Sequence, residues 1–165
     1  MIIVLMGVSG SGKSTIGRLL SQHLGWPFLD GDDFHPPSNI EKMSRGIPLT
    51  DADRLPWLQR IAEEIHKFET EDRSAIFACS ALKAQYRDIL NKENPDVKFV
   101  LLKGSFELIH QRLASRKGHF MKPDLLQSQF DTLEETPGLI VIDIGQPPEQ
   151  ITAEISRRLG GLHPP

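Results

Sequence analysis

Gly7-Val8-Ser9-Gly10-Ser11-Gly12-Lys13-Ser14 fits the pattern G-x-x-x-x-G-K-[ST] at every fixed position, and the flanking residues supply the context that pattern requires. The apolar run Ile2-Ile3-Val4-Leu5-Met6 leads in, and a segment with Ile16, Leu19, Leu20 and Leu24 at helical spacing leads out. Strand, loop and helix therefore follow one another. In such a loop successive backbone N–H groups turn toward one point, where the helix N-terminus adds its partial positive charge. Gly7, Val8, Ser9, Gly10, Ser11, Gly12, Lys13, Ser14 and Thr15 are expected to cradle a nucleoside triphosphate. Lys13 is placed to reach the β- and γ-phosphates, and the Ser14 hydroxyl to ligate the Mg²⁺ that bridges them.

Outward from that loop, the chain reads as one domain spanning residues 1–165. It is long enough to bury a sizeable core unaided, and its 39% apolar and 25% charged residues are ordinary for a globular protein. A net charge of −3 argues against general binding to nucleic acid, so any anion site must be local. The single cysteine, Cys79, excludes an internal disulfide, and no Cys/His cluster has zinc spacing. The first apolar run has five residues and no basic residue before it, which suits neither a signal peptide nor a membrane span. A cytoplasmic protein that touches no membrane is the expectation.

Short apolar runs at residues 2–6, 27–30, 75–79, 98–103 and 139–143 lack strict alternation, as strands buried on both faces do. Helical patterns lie between them at 13–24, 55–68, 82–90, 106–116 and 151–159, with Gly25 as a stop and Ser105 as an N-cap. This alternation predicts an α/β fold with a five-stranded parallel sheet and helices on both faces. Ligands in such sheets bind beyond the carboxyl ends of the strands.

Just past the second strand comes Leu29-Asp30-Gly31-Asp32-Asp33-Phe34-His35-Pro36-Pro37, rich in carboxylates. If the chain stays extended, Asp30 and Asp32 point the same way and Asp33 away. One of the two carboxylates is then available to hold waters of the magnesium shell, and the other to accept a proton from a substrate hydroxyl. An acidic turn capping the helix that begins near Pro37 and Ser38 is the plainer alternative. The third strand ends in Ser80 rather than in the Asp of motor-type ATPases, which leaves Asp30 or Asp32 as the source of that carboxylate.

Lys83 and Arg87 are four residues apart, a spacing that puts them on one helix face. They either grip an anionic substrate or form a solvated basic face. Arg112, Arg116 and Lys117-Gly118-His119-Phe120-Met121 precede a helix start at Pro123. That basic connection, about 116–124, is either a helical lid that brings Arg116, with Arg112, over the transferring phosphoryl group, or a simple helix–helix corner.

The phosphate loop, Leu29-Asp30-Gly31-Asp32-Asp33-Phe34-His35-Pro36, Asp53-Arg54-Leu55-Pro56-Trp57-Leu58, Cys79-Ser80-Ala81-Leu82-Lys83, Tyr86-Arg87-Asp88 and Lys117-Gly118-His119-Phe120-Met121 followed by Ser128-Gln129-Phe130 together resemble the small P-loop gluconate kinases, in order from residue 1 to about 143. The resemblance implies a fold akin to shikimate and adenylate kinases with strand order 2-3-1-4-5, a homodimer, ATP and Mg²⁺ as co-substrate and ion, and phosphorylation of D-gluconate to 6-phospho-D-gluconate. On that reading Lys13, Asp32 and Arg116 are catalytic, and Asp30 and Ser14 serve the metal. Arg112 and Gln146 attend the nucleotide, and His35, Arg54, Lys83, Arg87 and His119 attend the sugar acid. Arg54 pairing only with Asp51 or Asp53 stays open, and Trp57 is expected to pack rather than touch substrate. A kinase of shikimate or another hydroxy acid, and a non-catalytic nucleotide-binding regulator, are the rival classes.

Overall fold

A computed structural model of the chain describes residues 1–116 and 122–163. Its strands are β1 (Ile2–Met6), β2 (Phe28–Asp30), β3 (Ala75–Ala78), β4 (Val97–Lys103) and β5 (Ile140–Asp143). Its helices are α1 (Lys13–Leu24), α2 (Pro37–Ser44), α3 (Asp51–Thr70), α4 (Ala84–Asn91), α5 (Phe106–Ser115), α6 (Pro123–Thr132) and α7 (Pro148–Arg158). The strands form one parallel sheet in the order β2-β3-β1-β4-β5, as expected from the resemblance.

Both faces of β1 are sealed, which is why its five residues are all apolar and all buried. Ile2, Val4 and Met6 face a core completed by Trp57, Leu58, Ile61, Ile65 and Phe68 of α3 and by Tyr86 and Leu90 of α4. Ile3 and Leu5 face the opposite core, made by Ile16, Leu20 and Leu24 of α1, Ile109 and Leu113 of α5, Leu126 of α6, and Ile151 and Ile155 of α7. Helices thus cover the sheet on both sides.

Three helix starts differ from the periodicity-based expectation, each for a local reason. Helix α3 begins at Asp51, ahead of its first apolar residue, because Thr50 and Asp53 form a reciprocal capping box. Helix α7 begins at Pro148, where the missing N–H costs nothing in the first turn. Helix α4 begins at Ala84, with Lys83 outside it in extended backbone. Among the described residues no helix is long and apolar enough to cross a membrane.

Candidate active site

Strand β1 feeds directly into the loop 7–14, and Gly12 N-caps α1 with φ 98°, a left-handed conformation that strains any other residue. The Gly7 N–H donates to Ser80 O at 3.2 Å, tying the loop entrance to the segment after β3. Lys13 lies back along the loop, its Nζ donating to Gly7 O at 2.9 Å and to Val8 O at 3.0 Å. Ser14 Oγ donates to Asp30 Oδ2 at 3.0 Å, so the start of α1 and the end of β2 meet.

The carboxylates come together by a different geometry from the one alternation predicts. Asp30 is not followed by extended chain: residues Gly31–Phe34 make one 3₁₀ turn, and Asp30 Oδ1 caps it by accepting the Asp32 N–H at 3.0 Å. The expected same-side placement through β alternation is therefore overturned, because an Asp at a turn start bonds its own backbone. Even so, Asp32 and Lys13 act on one another's charge. Burial is the strongest influence on both, pushing Lys13 down and Asp32 up. Asp30 adds a like-charge push on Asp32, and Lys13 opposes it. Asp32 still presents much of its surface to solvent. Arg116, the exposed residue ending α5, also contributes its positive field at Lys13.

Trp57, His35 and Asn39 form the floor under this turn. Trp57 Nε1 donates to Gly31 O at 2.7 Å, and the Trp57 ring stacks on His35 at 4.3 Å with 14° between planes. Asn39 Nδ2 lies 3.2 Å from His35 Nδ1 and donates to Asp53 O at 2.9 Å. An amide nitrogen can only donate, so Nδ1 accepts and the imidazole proton sits on Nε2. Burial, with Arg54 nearby, holds the His35 pKa down, which keeps the ring neutral. Trp57 is 3% exposed and packs as expected.

Lys83 and Arg54 converge on Asp51. Its carboxylate accepts from Lys83 Nζ at 3.0 and 3.2 Å, from Gln85 Nε2 at 3.2 Å and from the Tyr86 hydroxyl. Arg54 NH1 donates to Leu49 O at 2.6 Å and to the Tyr86 hydroxyl at 3.4 Å, and lies 4.0 Å from Asp51 Oδ1. The Tyr86 bond, then Lys83, holds the Asp51 pKa below the ordinary carboxylate range, and Asp51 raises that of Lys83.

Arg87 is a correction. It is 4% exposed and turned inward, its guanidinium donating to Ala81 O at 2.8 Å, Leu82 O at 3.2 Å, Glu134 O at 2.7 Å and Thr136 Oγ1 at 3.2 Å. Lys83 and Arg87 do not share a helix face, because Lys83 is the N-cap residue and its backbone is extended. Arg87 instead braces the turn at Ala81, which holds φ 44°. On the far side of the loop, Arg112 NH2 donates to Ile144 O at 2.7 Å, while Gln146 Nε2 bonds Asp143 O and Glu154 Oε2, each at 2.9 Å. His119 and most of the expected lid lie outside the described residues. The Cys79 thiol, buried beneath the site, is pushed up to about 12 by burial and is no nucleophile at neutral pH.

Residues 9–159 match the family model "Shikimate kinase". The "Thermoresistant gluconokinase" of Escherichia coli K12 is 48% identical over 157 residues, covering 92% of this chain and 89% of that protein. The chain belongs to the gluconokinase family. The crystal structure of a gluconokinase from Sinorhizobium meliloti superposes with a TM-score of 0.83 at 43% identity, covering 95% of this chain and 94% of that one. Shikimate kinase from Aquifex aeolicus shares the fold, with a TM-score of 0.63 at 23% identity over 98% of this chain and 97% of its own. Within the gluconokinase frame, three contacts escaped sequence reasoning: the His35–Trp57–Asn39 brace, Asp51 as the hub of the basic cluster, and Gln129 against the loop at Ser9. Their residues stood in view, His35, Trp57 and Gln129 in the quoted blocks and Asp51 as a possible partner of Arg54, but nothing in the sequence paired them this way.

Proposed function

We propose that the protein transfers the γ-phosphoryl group of ATP to the 6-hydroxyl of D-gluconate, giving 6-phospho-D-gluconate and ADP. The observation that carries this reading is Asp32, a carboxylate with its pKa raised, in the field of the half-buried Lys13. Asp32 takes the proton from the attacking hydroxyl as the O–P bond forms, and Lys13, with Arg116, offsets charge on the phosphoryl oxygens. His35 offers Nε2–H to a hydroxyl of the polyol, and Arg54 and Lys83 form the cationic end for its carboxylate. Arg112 and Gln146 belong to the nucleotide side, with Gly7–Thr15 around the phosphates.

Ser14 and Asp30 fit Mg²⁺: a hydroxyl and a carboxylate, both hard oxygen donors, meet at the loop mouth. Among the described residues no group of three or more His, Cys, Asp or Glu could cage a metal, which suits an ion that keeps waters and relies on substrate phosphates. When bound, it would screen the charge of the β- and γ-phosphates. A cytoplasmic homodimer goes with the family reading, and light scattering tests the dimer.

A coupled assay offering gluconate and shikimate side by side tests the reaction. Turnover of gluconate and its loss in Asp32→Asn, with ADP still bound, is the expected result. Turnover of shikimate alone, or an Asp32→Asn enzyme at full rate, would replace the reading.

A further inference from the structure

Gln129, on α6, reaches across to the phosphate loop and holds Ser9 with both ends of its amide. The Ser9 N–H donates to Gln129 Oε1 at 2.7 Å, and Gln129 Nε2 donates to Ser9 Oγ at 3.0 Å. The chemistry of this pair is fully determined. A backbone N–H has only a proton to offer, so the atom opposite it is the amide oxygen, and the atom opposite Ser9 Oγ is the amide nitrogen. That nitrogen can only donate. The Ser9 hydroxyl therefore accepts from Gln129, and its own proton points elsewhere. Among the described residues no side chain or carbonyl takes that proton in a direct hydrogen bond from Ser9. Lys13 Nζ meanwhile sits on the carbonyls of Gly7 and Val8, the two residues just before Ser9, so both donors border the same arc of the loop.

Resting on the kinase reading above, we propose that Gln129 is a positioning residue that fixes the Ser9 hydroxyl as a hydrogen-bond donor to the terminal phosphoryl oxygens of the bound nucleoside triphosphate. Helix α6 thereby becomes part of the phosphate site through one amide. The choice of Gln over its isostere Glu has a reason on this account. A carboxylate would still accept the Ser9 N–H, but its second oxygen would also accept, turning the hydroxyl proton toward residue 129 and away from the ligand.

The test uses Ser9→Ala, Gln129→Glu and their combination, with binding of ADP and of a non-hydrolysable ATP analogue measured by calorimetry and kcat measured on whichever acid the wild type phosphorylates. The reaction itself is judged on wild-type enzyme, so failure there is separate from failure here. Ser9→Ala should weaken the analogue roughly tenfold while leaving ADP within about twofold, the loss of one bond to a charged acceptor. Gln129→Glu should keep the melting temperature, because the N–H tether survives, yet lower kcat by a factor on the order of ten or more. In the Ser9→Ala background that second loss should shrink toward unity. A tether with only a structural role would predict the reverse pattern, with stability changed and the analogue-to-ADP ratio unmoved. Equal weakening of ADP and analogue, or losses that simply multiply in the double variant, would overturn the proposal.

Discussion

Gly31 sits between Asp30 and Asp32 with no room for a side chain: a Cβ built there would lie 2.3 Å from the carbonyl oxygen of Ala78. Ordinary contact begins near 3.4 Å, so Gly31→Ala must move one backbone against another by about 1 Å. Neither partner is free to yield. Ala78 belongs to β3 and pairs with Asp30, and Gly31 O is held by Trp57 Nε1 at 2.7 Å. Overpacking of this kind costs about 1–3 kcal/mol of stability. The larger effect falls on the chemistry, because a 1 Å misplacement of a reacting group costs roughly 10²-fold in rate. Steady-state kinetics on gluconate, beside ADP calorimetry and urea unfolding, measures all three quantities. Ile65→Val, fully buried in α3 and expected to cost about 1 kcal/mol, supplies a variant of similar stability away from the carboxylates. Gly31→Ala should lose about two decades of kcat/KM with ADP binding kept, while Ile65→Val keeps both. A Gly31→Ala enzyme with wild-type kcat/KM and unchanged unfolding midpoint would refute the close-approach argument.

The raised pKa of Asp32 places the acid limb of the kcat/KM profile above that of an ordinary Asp, with activity falling as pH drops and the base becomes protonated; Asp33→Asn removes one like charge and should move the limb to lower pH. Arg87→Leu strips donors from three carbonyls and should cost about 3 kcal/mol in denaturant unfolding with the gluconate KM changed little; a selective rise in KM at unchanged stability would restore a substrate role. Thr50→Ala should cost about 1 kcal/mol by unfolding, the usual value of an N-cap. Asp53, held at about 2 by its bonds from Lys42 and Thr50, contributes stability that is complete above its unfolded value of 3.8 and fades as pH falls through about 2, so the gap between wild type and Asp53→Asn in acid titration should close over that interval.

What the residues revealed beforehand, and what they hid, divides along the range of the forces involved. The loop 7–14 was legible because its glycines, Lys13 and the helix start that follows are written in consecutive residues. The two-sided burial of β1 was legible for the same reason, as an unbroken apolar run. Side-chain direction was not. Lys83 and Arg87 have helical spacing, but whether position 83 lies inside the helix depends on where α4 starts, and no capping side chain marks that start. The geometry after Asp30 was not legible either, since nothing in Asp-Gly-Asp-Asp distinguishes a strand end from a capped 3₁₀ turn. Partners 26 to 120 residues apart, such as Trp57 with Gly31 or Gln129 with Ser9, exist only once the sheet has closed.

Within this chain the phosphate loop precedes in sequence the distant segments that support it. The loop's shape leans on Ser80, which accepts from Gly7, on β4, which flanks β1, and on Gln129. For most of translation the emerging polypeptide therefore carries the phosphate-binding text without the surroundings that bend it into a cradle. Fragments ending before α6 lack the Gln129 contact to Ser9 and should bind nucleotide more weakly than the full chain, a difference that calorimetry reads.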